Sequence, residues 1–249
     1  MNTRPALRFP YVIFDLGSTL IYFEGDWLSV MSDSLRACTR TLRELGYRLD
    51  DQAFPQAYYA LNQEYYLQRN DTFVEFTAEH VLRAALSAHS VPDPAPEHLL
   101  SALKSMYAVS QRYWHVEPDA HASLQALRNA GCRLGIVSNA SDDADVQTLV
   151  DQAAIRSYFD FILTSAVAGV RKPTPLIFQQ ALSNWPEAEP HRVLMVGDMR
   201  SADMAGANLL GLSSAWITRR AADEGLPTGD PRYQPSFTIT ALSELPALV

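Results

Sequence analysis

The 249-residue chain has only two cysteines, Cys38 and Cys132, far apart and neither within a Cys-x-x-Cys or Cys/His spacing. A disulfide framework and a cysteine-based metal centre are thereby excluded, and each thiol is expected reduced and packed as a small hydrophobe. Long apolar runs are missing too. Residues 1–8 lead into the first strand without the continuous apolar stretch of a secretory signal, and no later run reaches the ~20 residues that span a membrane. A soluble cytoplasmic protein with no membrane partner is the expectation. Positive charge is in deficit: 20 Lys and Arg against 28 Asp and Glu give a formal net charge of −8, which argues against a broad nucleic-acid surface but leaves room for a local anion site. Internal repeats and low-complexity segments are absent.

Core-forming residues are plentiful. At 47% hydrophobic, the chain can build one domain with a sizeable insertion or two small domains. Its organising stretch is Tyr11-Val12-Ile13-Phe14-Asp15-Leu16-Gly17, an apolar run that stops at one carboxylate and turns through Gly17. β-Branched and aromatic residues favour a strand buried on both faces, and in open α/β sheets ligands collect at the carboxyl ends of such strands. Asp15 is thus a candidate functional residue. Tyr22-Phe23-Glu24-Gly25-Asp26 is turn-prone and predicts a flap beside the site.

Residues 27–112 carry helical periodicity throughout. Leu28, Met31, Leu35, Cys38, Leu42 and Leu45 recur at three- and four-residue intervals before Gly46, a natural stop. A second helix is expected over 52–68. A third opens at Asp71-Thr72 and runs through Phe73, Phe76, Val81, Leu82 and Leu86, and a fourth covers 99–113 beyond the break at Pro92-Asp93-Pro94-Ala95-Pro96. Four helices without a strand predict an inserted all-α cap over 23–113 rather than successive βαβ units. Tyr58, Tyr59, Tyr65 and Tyr66 are expected in helix–helix contacts. His80, His89 and His98 share no ligand spacing and are expected as solvated or hydrogen-bonded imidazoles. Arg69, Asn62 and Thr77 are polar cap residues whose facing helical phase alone does not fix.

From Val116 onward helix and strand signals alternate: helix 120–129, strand 133–137 delivering Ser138-Asn139, helix 145–154, strand 159–163, Gly169-Val170-Arg171-Lys172-Pro173, helix 174–183, strand 192–196 ending at Gly197-Asp198, helix 202–210, and strands at 214–217 and 237–239. The loop 219–235 reads as surface punctuation. The expected fold class is α/β, a three-layer Rossmann-like parallel sheet formed by residues 1–22 and 114–249, with the inserted all-α cap. Right-handed crossovers would bring Asp15, Ser138, Lys172 and Asp198 to one sheet edge, with Asp203 at the start of the following helix.

Those residue types fit phosphoryl transfer. A carboxylate such as Asp15 can attack phosphorus and form an aspartyl-phosphate, dividing one difficult hydrolysis into two easier steps. Mg²⁺ suits a site of Asp15, Asp198, a backbone carbonyl and phosphate oxygens, with Asp203 as ligand or support. Ser138 can donate to a phosphate oxygen near a helix N-terminus, and Lys172 can neutralise developing charge.

With Phe14-Asp15-Leu16-Gly17-Ser18-Thr19-Leu20, Ile136-Val137-Ser138-Asn139, Arg171-Lys172-Pro173 and Val196-Gly197-Asp198-Met199-Arg200-Ser201-Ala202-Asp203 in that order, the chain resembles the haloacid dehalogenase-like superfamily, specifically members with a helical cap between the first two motifs. The resemblance implies Asp15 as nucleophile, Thr19 supporting the turn and the phosphate site, Ser138 and Asn139 contacting phosphate, and Lys172 stabilising charge. It further implies magnesium held by Asp15, the Gly17 backbone carbonyl, Asp198 and Asp203, with a small phosphorylated substrate.

One position departs. Phosphatases of the superfamily usually carry a second Asp two residues after the nucleophile, as general acid and base, and here that position is Gly17. General acid–base assistance contributes about 10² to 10⁴ in rate. The expectation is therefore a Mg²⁺-dependent phosphomonoesterase of low or unusual activity, favouring good leaving groups. Two alternatives stand beside it: a 2-haloacid dehalogenase, whose family also lacks the second Asp, and a catalytically weakened protein that binds phosphorylated ligands. Oligomeric state is not legible.

Overall fold

The computed structural model describes residues 7–249; the expectations for residues 1–6 lie outside that range. The first strand, β1 (Tyr11–Phe14), has Val12, Ile13 and Phe14 wholly buried, which is what an all-apolar run requires. Asp15 follows, its amide donating to Val196 O at 2.8 Å. The chain then reverses over one carbonyl, Leu16 O accepting from the amides of Thr19, Leu20 and Ile21, with Ser18 in the left-handed region at φ 58°. A non-glycine residue held there marks a turn fixed by its surroundings.

A short strand β2 (Ile21–Phe23) leads out to four helices: α1 (Trp27–Glu44), α2 (Ala53–Thr72), α3 (Ala78–Ala88) and α4 (Pro96–Ser110). The chain returns through β3 (Trp114–Val116), which pairs antiparallel with β2, so exit and re-entry form one two-stranded stalk. The helices bury a hydrophobic cluster of their own, including Leu35, Leu42, Phe54, Leu82, Leu86 and Leu99. Each such side chain contributes roughly 1.5–3 kcal/mol on leaving water, which gives the inserted bundle a core independent of the sheet.

The remainder alternates: α5 (Ala120–Ala130), β4 (Arg133–Ser138), α6 (Asp143–Gln152), β5 (Phe161–Thr164), α7 (Ser165–Ala168), α8 (Pro175–Leu182), β6 (Val193–Gly197), a π-helical turn at Arg200–Met204, α9 (Ala205–Leu209), β7 (Ser213–Ile217) and β8 (Phe237–Ile239). The sheet is parallel in the order β5-β4-β1-β6-β7-β8. Phe14 lies opposite both Ile136 and Val196, so β1 is flanked on each side by a strand that runs on past its end, to Ser138 in β4 and Gly197 in β6. Along β1 the side chains alternate between faces. Val12 and Phe14 join Leu124, Leu127, Ile136 and Val150 on one side, while Ile13 joins Val137, Ile177, Phe178 and Met195 on the other. Helices therefore cover both faces, as the α/β reading predicts. Among the described residues no helix is long and apolar enough to cross a membrane.

Three local expectations change. The stretch after Ile21 is not a free flap, since Ile21–Phe23 is the stalk strand. The third cap helix begins at Ala78 rather than Asp71. Helix α2 continues to Thr72, Phe73 turns left-handed at φ 54°, and residues 73–77 run extended, Val74 bridging antiparallel to Val170. Finally, the 219–235 loop does more than punctuate the surface, because the Glu224 carboxylate accepts from the Arg200 amide at 2.7 Å and the Ser201 amide at 3.0 Å and so braces the π-helical turn.

Candidate active site

The parallel register places the ends of β1, β4 and β6 side by side, and the chemistry-bearing residues sit just beyond those ends. Asp15, Gly17, Ser138, Asn139, Lys172, Asp198 and Asp203 all line one cavity of about 280 Å³. Lys172 is its electrostatic centre. Its buried ammonium lies 2.6 Å from Asp15 Oδ1 and 2.7 Å from Asp203 Oδ1, and donates to Val137 O at 2.8 Å. Burial alone would lower its pKa; the carboxylates of Asp15 and Asp203 override this and raise it, so it stays charged.

Asn139 fixes the backbone that carries this lysine. Its Oδ1 accepts from the Lys172 amide at 2.8 Å and its Nδ2 donates to Lys172 O at 3.1 Å. The side chain thereby positions Lys172, and it also lines the cavity in which the sequence places it against phosphate. Ser138 lines the cavity at the end of β4. Thr19 is wholly buried beneath the turn and is not among the lining residues, and its hydroxyl has no hydrogen-bond partner among the described residues.

Asp203 is delivered by the π-helical turn. Its Oδ2 accepts from the Met199 amide at 3.0 Å, and a Cβ at Gly197 would stand 2.2 Å from that same oxygen, so only glycine lets the carboxylate close over the end of β6. Asp198 is held through its backbone, its carbonyl accepting from Trp216 Nε1 at 2.8 Å. One carboxylate oxygen each from Asp15, Asp198 and Asp203 falls within 4.8 Å of the others. Burial and mutual repulsion raise the pKa values of Asp198 and Asp203. Three converging carboxylates against one ammonium leave an excess of negative charge, and an all-oxygen donor set of this kind fits a hard divalent cation.

Cap and core both add residues that sequence reasoning missed. Trp114 at the start of β3 lines the cavity, and its indole lies 3.4 Å from the point where a Cβ on Gly17 would stand. Asp145 on α6 also lines it, with one hydrogen bond, accepted from Gln111 Nε2 at 2.8 Å, and burial pushes its carboxyl up to about 7. Glu75, in the extended 73–77 segment, is buried and bound by Arg171 and by the Ser165 hydroxyl, whose oxygen accepts from the Ala140 amide at 2.9 Å. The Thr77 hydroxyl caps α3 by accepting from the His80 amide, while Arg69 and Asn62 face a second cavity between cap and core. Tyr58 is buried in the cap and Tyr59 is exposed; Tyr65 stacks on Phe76 and Tyr66 lines the second cavity. His80, His89 and His98 find partners in Tyr65 Oη, Ala85 O and Tyr47 Oη. Of these, only Thr77 carried a usable sequence signal, a capping residue with Glu79 two positions on.

Known proteins share the family and the fold. A phosphoserine phosphatase of Thermus thermophilus is 31% identical over 167 residues, which are 67% of this chain and 63% of that protein. A ribulose-1,5-bisphosphate 5-phosphatase of Halopiger xanaduensis is 26% identical over 241 residues, 96% of this chain and 98% of its own length. In fold, the chain matches a 2-haloacid dehalogenase of Pseudomonas syringae with a TM-score of 0.67 at 22% identity, covering 96% of this chain and 97% of that one. It matches a HAD phosphatase of Thermococcus onnurineus with a TM-score of 0.61, also at 22% identity, over 96% of each chain. The model of the haloacid dehalogenase-like hydrolase family covers residues 9–211, from the approach to β1 to the end of α9 and every candidate site residue between, and the chain belongs to that family.

Proposed function

We propose that this hydrolase cleaves small phosphomonoesters with Mg²⁺, through an aspartyl-phosphate on Asp15. The observation that carries the reading is the placement of Asp15 on the Lys172 ammonium, 2.6 Å away, with Asp198 and Asp203 converging from β6. Asp15 Oδ attacks phosphorus and the bond to the leaving oxygen breaks. Ser138 and Lys172 hold the phosphoryl oxygens, and Asn139 keeps Lys172 in register. Asp15, Asp198, Asp203 and the Gly17 carbonyl would hold the magnesium ion, which when bound neutralises charge on the phosphoryl group.

Gly17 deprives the leaving oxygen of a neighbouring acid, and Asp145 takes that role. It lines the same cavity, no cation pairs with it among the described residues, and Asp142 of its own helix and Tyr107 of α4 are its ionisable neighbours. Its proton passes to the leaving alkoxide; water then attacks phosphorus, gives its proton to the Asp145 carboxylate, and releases inorganic phosphate and free Asp15.

The phosphatase relatives support a phosphomonoester substrate. Gly17 favours a second reading, attack of Asp15 on the carbon of a haloacid. Against it stands the Asp198 and Asp203 pair, which carbon–halogen displacement does not need. Phosphate release from an aryl phosphate should require Mg²⁺ and fall by at least ~10³-fold in Asp15→Asn. Unchanged release from that variant would sink the proposal, metal-independent halide release would favour dehalogenation, and tight binding without turnover would favour a ligand-binding protein.

A further inference from the structure

Between cap and core lies a second cavity of about 170 Å³. It shares Trp114, Asn139, Ala140 and Asp145 with the catalytic cavity, so a phosphoester seated on Asp15 extends its alcohol portion into it. One of its walls is Arg69 of α2, a residue only 8% exposed. Its guanidinium lies over the Tyr66 ring, 3.3 Å from the centroid, and its nearest anion is Glu75 Oε1 at 3.5 Å. No hydrogen bond is formed by any of its N–H groups among the described residues, and Nε is fully buried without a partner.

Glu75 gives this arginine an ion pair and no hydrogen bond: Oε1 stands 3.5 Å away, itself without a hydrogen-bond partner among the described residues, while Oε2 accepts from Arg171 and Ser165. Two guanidiniums thus share one carboxylate beside a half-open cavity, whose other charged lining residues are Asp142 and Asp145, both carboxyls raised in pKa by burial. Burial first, and the adjacent Arg171 second, lower the Arg69 pKa to about 10, the direction expected of a cation short of counter-charge. Arginine donors form a planar fork that matches a carboxylate with two parallel hydrogen bonds. The volume, well below the ~300 Å³ at which pockets for drug-sized ligands begin, suits a body of a few heavy atoms.

We propose that Arg69 is the binding site for a carboxylate on the alcohol portion of the substrate, so that the preferred substrates are short phosphorylated hydroxy or amino acids. The inference rests on the phosphomonoesterase reading, and its test separates the two. Purified enzyme with Mg²⁺ is given O-phosphoserine against phosphoethanolamine, which differ by one carboxylate, and 3-phosphoglycerate against glycerol 3-phosphate, with p-nitrophenyl phosphate as a generic substrate. In wild type, kcat/KM should favour the carboxylate-bearing member by roughly 10- to 100-fold, the range a charge-assisted pair supports. In Arg69→Met that ratio should fall to near one through KM, and Arg69→Lys should restore part of it. Equal turnover of both members by wild type, or a ratio unmoved by Arg69→Met, overturns the inference while release from the aryl phosphate leaves the phosphatase reading intact. Absence of release from every phosphoester overturns both. Should Arg69→Met not fold, inhibition of wild type by free glycerate but not by glycerol supports the site, and equal indifference to the two refutes it.

Discussion

The floor of the active site and the cavity above it treat charge in opposite ways. On the floor the Lys172 ammonium has three partners, the Asn139 amide grips the Lys172 backbone twice, and Asp203 is tied to the Met199 amide. Above it, among the described residues, the Arg69 guanidinium forms no hydrogen bond and Asp145 has no cation. The groups of the floor are partnered by the protein itself and suit chemistry common to many substrates, whereas the upper cavity, in the role proposed for Arg69, is completed by the substrate. Pre-organised donors act on charge as it develops, while open donors in a cavity discriminate among ligands.

The contrast can be broken at several points. The largest effect is expected at Asp145. Replacing it with Asn keeps an oxygen for Gln111 but removes the proton, so hydrolysis of alkyl phosphates should slow by about 10² to 10⁴, while aryl phosphates, whose leaving groups need little protonation, lose far less. Steady-state kinetics across a leaving-group series measures this, and a uniform loss would assign Asp145 a packing role only.

Next comes the joint between the two regions. In Glu75→Gln the carboxylate shared by Arg171, Ser165 and Arg69 disappears, leaving buried guanidiniums unpaired at a cost of about 3–5 kcal/mol. A lowered Tm is expected by thermal unfolding, together with weaker protection of the 73–77 backbone in hydrogen exchange. Equal stability of variant and wild type would show that this joint carries no load.

The smallest effect is a pH dependence. Asp145 has a folded-state pKa raised to about 7, above its unfolded value, so the native state holds a proton that the unfolded chain releases. Stability is undiminished below about pH 4, declines as pH rises from 4 to 7, and is flat beyond, with a total of at most about 4 kcal/mol. Wild-type Tm should fall relative to Asp145→Asn across that window, and a gap that does not change with pH would refute the assignment.

Much of the floor was legible in the sequence because buried parallel strands are continuous apolar runs that stop where chemistry begins. Val12-Ile13-Phe14 announced Asp15, and Val193-Leu194-Met195-Val196 announced Asp198. The upper cavity was not. Strands of three residues such as Ile21–Phe23 show no periodicity, and its pairing with Trp114–Val116 is decided some ninety residues away. The turn at Phe73 has no glycine to mark it, since pairing of residues 73–75 with 169–171 overrides helical propensity. Asn139 was recognised as a site residue, yet its partner is a backbone, which sequence pattern cannot name. Asp145 belongs to a run of acidic residues in which only its place on the catalytic cavity distinguishes it from Asp142 and Asp143.

The contact between Gly17 and Trp114 joins the nucleophile turn to the stalk that leads into the cap. Backbone geometry at residue 17 tolerates a side chain, and the first atom of one would rest on the indole at 3.4 Å, an ordinary van der Waals contact. Any group carried at position 17 would therefore meet first the same ring that lines the cavity, so the stalk, through Trp114, sets the surroundings of the turn beside Asp15.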